Sequence, residues 1–115
     1  MITQNNKFDI QTTKGDTVAF SFEIDGIDEV ASAYFSVKKG IDDTEYALQK
    51  SLNDGIVLIS AGVYTVRISP DDTSSLPLGM YYYDLQIGVQ NGDNVDIYTI
   101  LKGFFDISFE ITKEG

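Results

Sequence analysis

The sequence predicts an all-β protein built from two layers of short antiparallel strands. Three observations carry that expectation. Apolar and polar residues alternate with a period of two along most of the chain, Gly, Asn and Asp clusters interrupt the alternation at short intervals, and one short segment alone carries helix-start chemistry. Successive side chains on a strand point to opposite faces, so a period of two buries one face and leaves the other in water. At 115 residues the chain has room for one domain, residues 1–115, and for no second core.

The first strand is expected over Phe8–Thr12, ahead of a turn at Lys14-Gly15-Asp16. Thr17–Asp25 places Val18, Phe20, Phe22 and Ile24 on one face, with Ser21, Glu23 and Asp25 on the other. Asp25-Gly26 ends that run, and Ala31–Lys38 follows with Ala31, Ala33, Phe35 and Val37 directed inward. Shorter strands are expected at Tyr46–Lys50 and Ile56–Ile59, set off by Lys39-Gly40-Ile41-Asp42-Asp43 and Asn53-Asp54-Gly55. After Ala61-Gly62, the inward set is Tyr64, Val66 and Ile68. Gly and Asn tolerate positive φ, and Asp bonds to its neighbouring backbone, which is why these residues mark the turns.

Ser69-Pro70-Asp71-Asp72-Thr73-Ser74-Ser75-Leu76 departs from the strand pattern. Ser at N-cap, Pro at N1 and Asp72 at N3 make a capping box with Asp in place of Glu, and both aspartates lie where the helix dipole favours anions. A single helical turn bridging the sheets is expected. Leu76-Pro77-Leu78-Gly79 then leads into a long central strand with Tyr81, Tyr83, Leu85, Ile87 and Val89 inward. An acidic turn, a Gly and a Tyr-x-Tyr entering a strand match the tyrosine corner of immunoglobulin-like sandwiches, with Tyr81 the first candidate and Tyr83 the second. Asn91-Gly92-Asp93-Asn94 reads as a hairpin loop before a strand at Val95–Leu101. The last run sets Phe105, Ile107, Phe109 and Ile111 inward. The expected fold is an immunoglobulin-like β-sandwich of eight or nine short strands, with one helical turn near residues 70–76.

Composition narrows the function. The chain has no Cys and no His, and its 18 acidic residues outnumber 8 basic ones for a net charge of -10. Thiol nucleophiles, thiolate metal sites and disulfides are excluded, and the usual general base and zinc ligand is missing. The acidity repels phosphate backbones, so nucleic acid is not an expected partner. No apolar stretch approaches the about 20 residues of a membrane helix, and Met1–Lys7 has neither the basic nor the apolar region of a signal peptide. No membrane partner and no cofactor are expected.

Asp71-Asp72 is the sharpest acidic pair, but neighbours at a helix start read as caps rather than as acid/base partners across a cleft. Asp42-Asp43, or Asn91, Asp93 and Asp96, offer oxygen ligands for calcium without the spacing of an EF-hand. With no His and no Gly-x-Ser-x-Gly elbow, no nucleophile constellation is marked and no enzyme activity is expected. The more informative set is aromatic: Tyr34, Tyr82, Tyr98, Ile100 and Phe104 fall on the faces opposite the core and read as a protein interface. The same tyrosines suit a sugar platform, which leaves a stand-alone sandwich that binds a surface glycan or a calcium-dependent partner as the alternative.

The order of motifs is distinctive. Gly15-Asp16-Thr17 is followed by Phe35-Ser36-Val37-Lys38-Lys39, Leu48-Gln49-Lys50-Ser51 and Asp54-Gly55-Ile56. Tyr64 through Thr73, Leu78 through Gln86, Tyr98 through Gly103 and Phe105-Asp106-Ile107 complete it. This order resembles the N-terminal β-sandwich domains of bacteriophage tail and baseplate fibre proteins, such as the upper baseplate protein of lactococcal siphophages, over roughly residues 10 to 112. The resemblance implies a non-enzymatic virion component, assembled in the bacterial cytoplasm, that docks to other phage structural proteins and to copies of itself. In such proteins a fibre or receptor-binding region follows, whereas this sequence ends at Thr112-Lys113-Glu114-Gly115. The family has no catalytic residues to carry over.

Overall fold

The alternating runs form nine strands and one helical turn in a computed structural model that describes residues 6–109. In chain order these are β1 (Asn6–Lys7), β2 (Ile10–Thr13), β3 (Val18–Glu23), β4 (Ser32–Lys38), β5 (Leu48–Leu52), β6 (Gly55–Ser60), β7 (Val63–Ile68), α1 (Pro70–Ser74), β8 (Gly79–Asn91) and β9 (Asn94–Ser108). Strand pairing follows the path β1-β9-β8-β4-β5-β6-β7-β3, with β2 also on β9. The path turns over between β5 and β6, where the ladder is reduced to Ser51↔Gly55 and Leu52↔Ile56. Asn53, at φ 63, makes the tight crossing. One layer is therefore β2-β9-β8-β4-β5 and the other β6-β7-β3. The layers meet face to face: Phe20 of β3 packs edge-on against Phe35 of β4 at 5.9 Å between ring centroids, although many strands separate them along the path.

With β3 paired to β7, β4 to β8 and β8 to β9, the strand order is that of an immunoglobulin-like sandwich. The corner is Tyr81, whose hydroxyl donates to the Pro77 carbonyl at 2.6 Å. Tyr83 instead donates to the Phe8 carbonyl and ties β8 to the N-terminal segment. Two residues past the corner, antibody domains place a Cys bonded across the layers. Here that position is Tyr83, and Phe35 lies 5.2 Å from it, 5.9 Å from Phe20 and 6.1 Å from Phe105. Each such ring pair contributes about 0.5–1.5 kcal/mol beyond its buried area.

The helical turn is capped as its sequence indicates. The Asp72 carboxylate accepts the Ser69 backbone N–H at 2.7 Å and the Ser69 hydroxyl at 3.0 Å. It also pairs with the Lys50 ammonium of β5 at 2.9 Å, which links the turn to the other layer. At the opposite side, Gly103 lets the N-terminal segment lie close on β9, because a Cβ there would stand 2.5 Å from the Phe8 carbonyl oxygen.

The structure corrects several sequence expectations. The expected first strand, Phe8–Thr12, starts at Ile10 as β2, with the two-residue β1 ahead of it and both parallel to β9; between them the Phe8 N–H donates to the Lys102 carbonyl at 3.0 Å, and the Asp9 side chain accepts the Phe104 N–H at 3.0 Å. Val95–Leu101 and the final run are one continuous strand, β9. Phe109 lies beyond the end of β9 and is 66% exposed, and Ile111 lies outside the described residues. Val30, not Ala31, enters the core, and its N–H donates to the Tyr64 hydroxyl at 2.8 Å.

Because the layers have no disulfide, Phe35→Ala is expected to cost about 3–5 kcal/mol of unfolding free energy. Tyr81→Phe, which removes only the corner hydrogen bond, should cost about 1 kcal/mol. Urea denaturation of both variants measures the two effects.

Candidate functional site

The outer face of the β4-β8-β9 layer carries the candidate site. Its geometry depends on a bulge in β9: Leu85 pairs with Leu101, but the next β8 residue, Gln86, pairs with Thr99, leaving Ile100 as the extra residue. One extra residue reverses which face each subsequent side chain takes. Tyr98 and Ile100, expected to project outward, therefore turn inward; Ile100 is 8% exposed and Tyr98 packs on the core. Tyr34, Tyr82 and Phe104 remain on the outer face as expected. Tyr34 is 44% exposed and Tyr82 is 39% exposed, while Phe104 is half-buried against Tyr82, with ring centroids 5.3 Å apart.

Register arranges this face in rows. Lys38, Tyr82 and Phe104 form one row across β4, β8 and β9; Ser36, Asp84 and Lys102 form the next. Tyr34, Gln86 and Thr99 follow, and then Ser32, Gly88 and Ile97. The first two rows, with Tyr46 and Ile41 from the β4–β5 connection, enclose a groove of about 680 Å³. The Lys38 ammonium sits 5.2 Å from the Tyr46 ring centre and braces one wall. Gln86 donates to Thr99 Oγ1 at 3.2 Å, and Gln49 donates to Ser36 Oγ at 3.0 Å. Asp84 lies half-buried on the floor; burial pushes its carboxyl above the ordinary value, with the Lys38 charge pulling the other way. Nearby, burial and the Asp9 charge raise the Tyr83 phenol to about 12.

The acidic candidates resolve into local structure. Asp72 is the cap of α1. Burial alone would raise its carboxyl, but hydrogen bonds from Lys50 and Ser69 and the Lys50 charge hold it below its ordinary value. Asp43 accepts the Gly40 N–H at 2.9 Å and closes its own turn. Asp96 accepts from the Asn91 side chain at 2.9 Å, beside the Gly92-Asp93 hairpin. Among the described residues no group of three or more acidic side chains converges as a metal site. Asp84 and Gln86 were legible only as the outward positions of the central strand, and Lys102 was not singled out; what brings them together is the register of β8 with β9.

No family model matches the chain, and no curated protein matches it. Among solved structures 15 chains match. One is the extracellular domain of the voltage-gated sodium channel beta4 subunit, at 9% identity and a TM-score of 0.41, covering 96% of this chain and 97% of that one. The fold assignment rests on the strand order and the Tyr81 corner, not on that likeness.

The two shifted carboxyls give opposite pH signatures. Asp72, held below its ordinary 3.8, stabilises the fold above that pH and loses its contribution as pH falls through the folded-state value. Asp84, raised above 3.8, favours the fold most below that pH and less as pH rises through its folded-state value. Asp72→Asn is expected to lower Tm at neutral pH and Asp84→Asn to raise it; the Asp84 difference fades as pH falls toward 3.8, and the Asp72 difference fades only below 3.8. Thermal melts across that range test both signs.

Proposed function

We propose that this chain is a non-enzymatic structural module of a phage or prophage tail or baseplate, and that it works by docking to other proteins, copies of itself included. The observation that supports docking is the upper half of the outer face. There Tyr34, Val95 and Ile97 are exposed on one surface, and Ile97 is 58% exposed. Gly88 lets Val95 and Ile97 close over the sheet: a Cβ at that position would meet Ser32 Oγ at 2.3 Å, Val95 Cγ1 at 2.9 Å and Ile97 Cδ1 at 3.3 Å. The two rows built on Gln86 and Gly88 carry no charge, so a partner meets apolar and aromatic surface there without crossing the acidic shell.

The sheet edges support the same reading. Among the described residues β3 pairs only with β7, and β6 beyond Ile56 pairs only with β7, so both offer a backbone edge for another strand to extend. Val57 and Ile59 are exposed along the β6 edge. The tail and baseplate reading is supported by the order of sequence motifs, and a location in the virion is part of the same proposal.

Tyr34→Ala combined with Ile97→Ser should reduce the assembled species to monomer in light scattering at concentrations where the unaltered chain associates. A variant that associates like the parent would remove this patch from the docking surface.

A further inference from the structure

The groove at the lower half of the outer face has a chemistry different from that of the docking patch. Its volume of about 680 Å³ falls within the about 300–1,000 Å³ range of small-ligand sites. One wall is the Tyr82–Phe104 ring pair, tilted at 45°, and Tyr46 lines the groove with Lys38 above its ring. The floor is polar. Ser36 Oγ already accepts from Gln49, which leaves its O–H to donate. Gln86 spends an N–H on Thr99 and keeps its carbonyl oxygen as an acceptor. Asp84 and Lys102 are register partners across the β8–β9 ladder, and among the described residues neither side chain makes a hydrogen bond or a close ion pair.

This combination selects by exclusion. A cation entering the groove meets Lys38 and Lys102; an anion meets Asp84. A wholly apolar ligand strips water from a half-buried carboxylate and returns no hydrogen bond, which is costly. A neutral ring with apolar C–H faces and hydroxyls at its rim satisfies all of these groups at once. We infer that the groove binds a neutral saccharide, with the sugar's C–H face on Tyr82 and Phe104 and its hydroxyls bonded to Asp84, Gln86, Lys102 and Ser36. Asp84 accepts from a pair of hydroxyls, Lys102 donates to them, and Tyr46 covers the opposite side.

This inference stands apart from the docking reading, because Tyr34, Val95 and Ile97 do not line the groove. The test is titration of the ¹⁵N-labelled chain with maltotriose, cellotriose and triacetylchitotriose, with a sialylated trisaccharide as the charged comparison. Amide shifts should concentrate at Asp84, Gln86, Lys102, Gly103 and Phe104 for at least one neutral sugar. Phe104→Ala and the milder Asp84→Asn should each weaken that binding about tenfold, a change worth ~1.4 kcal/mol, while the rest of the spectrum stays that of the folded chain. Silence with all three neutral sugars overturns the inference, as does stronger binding of the sialylated one. Binding that survives both substitutions also overturns it. Shifts at these residues that follow protein concentration rather than sugar would assign the groove to a protein contact instead. The Tyr34/Ile97 variant should bind sugar like the parent, so the docking and saccharide readings fail separately.

Discussion

Burial at Phe35 is the constraint on which the rest of the structure depends. In a chain with no Cys, nothing covalent holds the β6-β7-β3 layer over the β2-β9-β8-β4-β5 layer. The fully buried Phe35 ring contacts Phe20 from the facing layer and Tyr83 and Phe105 from its own. Around it, Tyr81 fixes the approach to β8 by bonding Pro77, and Asp72 ties α1 to Lys50 of β5. These contacts fix the position of β8, the strand that supplies the central column of both halves of the outer face.

Much of this was legible in the sequence because inward positions are almost uniformly apolar. Phe35, Val66, Leu85 and Phe105 are each flanked by more polar or exposed neighbours, so period two assigns their faces without ambiguity. Ser69, Pro70 and Asp72 likewise announce a cap through local chemistry, and Tyr81 announces a corner. The phase of β9 was not legible. Ile97-Tyr98-Thr99-Ile100-Leu101 is nearly continuous in its apolar character, so alternation has no polar residue to register the extra position at Ile100. The parallel pairing of β2 with β9 leaves no local mark either, since the contacts that accompany it join Phe8 and Asp9 to Gly103 and Phe104, far along the chain. The groove was invisible for the same reason: Ser36, Asp84 and Lys102 are neighbours only through register.

The scarcity of cations makes their placement informative. Lys50 is committed to Asp72, and Lys39 lies over the Tyr81 ring at 4.7 Å. Lys38 and Lys102 are both in the groove, on either side of one carboxylate, in a chain whose net charge is -10. Half-buried Asp84 thus lines the groove together with two of the chain's eight basic residues. Asp84 is held at a cost in stability, since burial disfavours its charged form. Such a cost is usual where a residue serves binding rather than folding.

The bulge at Ile100 explains how one sheet face carries two kinds of surface. It falls between the Asp84–Lys102 row and the Gln86–Thr99 row, at the boundary between the charged groove and the uncharged patch. A bulge sharpens the local twist of its strand. Below it, the even-numbered residues Lys102 and Phe104 face outward; above it, the odd-numbered Thr99, Ile97 and Val95 do. Without the extra residue, Tyr98 and Ile100 would join Tyr34 on the surface, and Thr99 and Ile97 would point at the core. The inserted residue thus turns Tyr98 and Ile100 inward, exposes Ile97 and Val95 beside Gly88, and leaves the rings of Tyr82 and Phe104 to the groove.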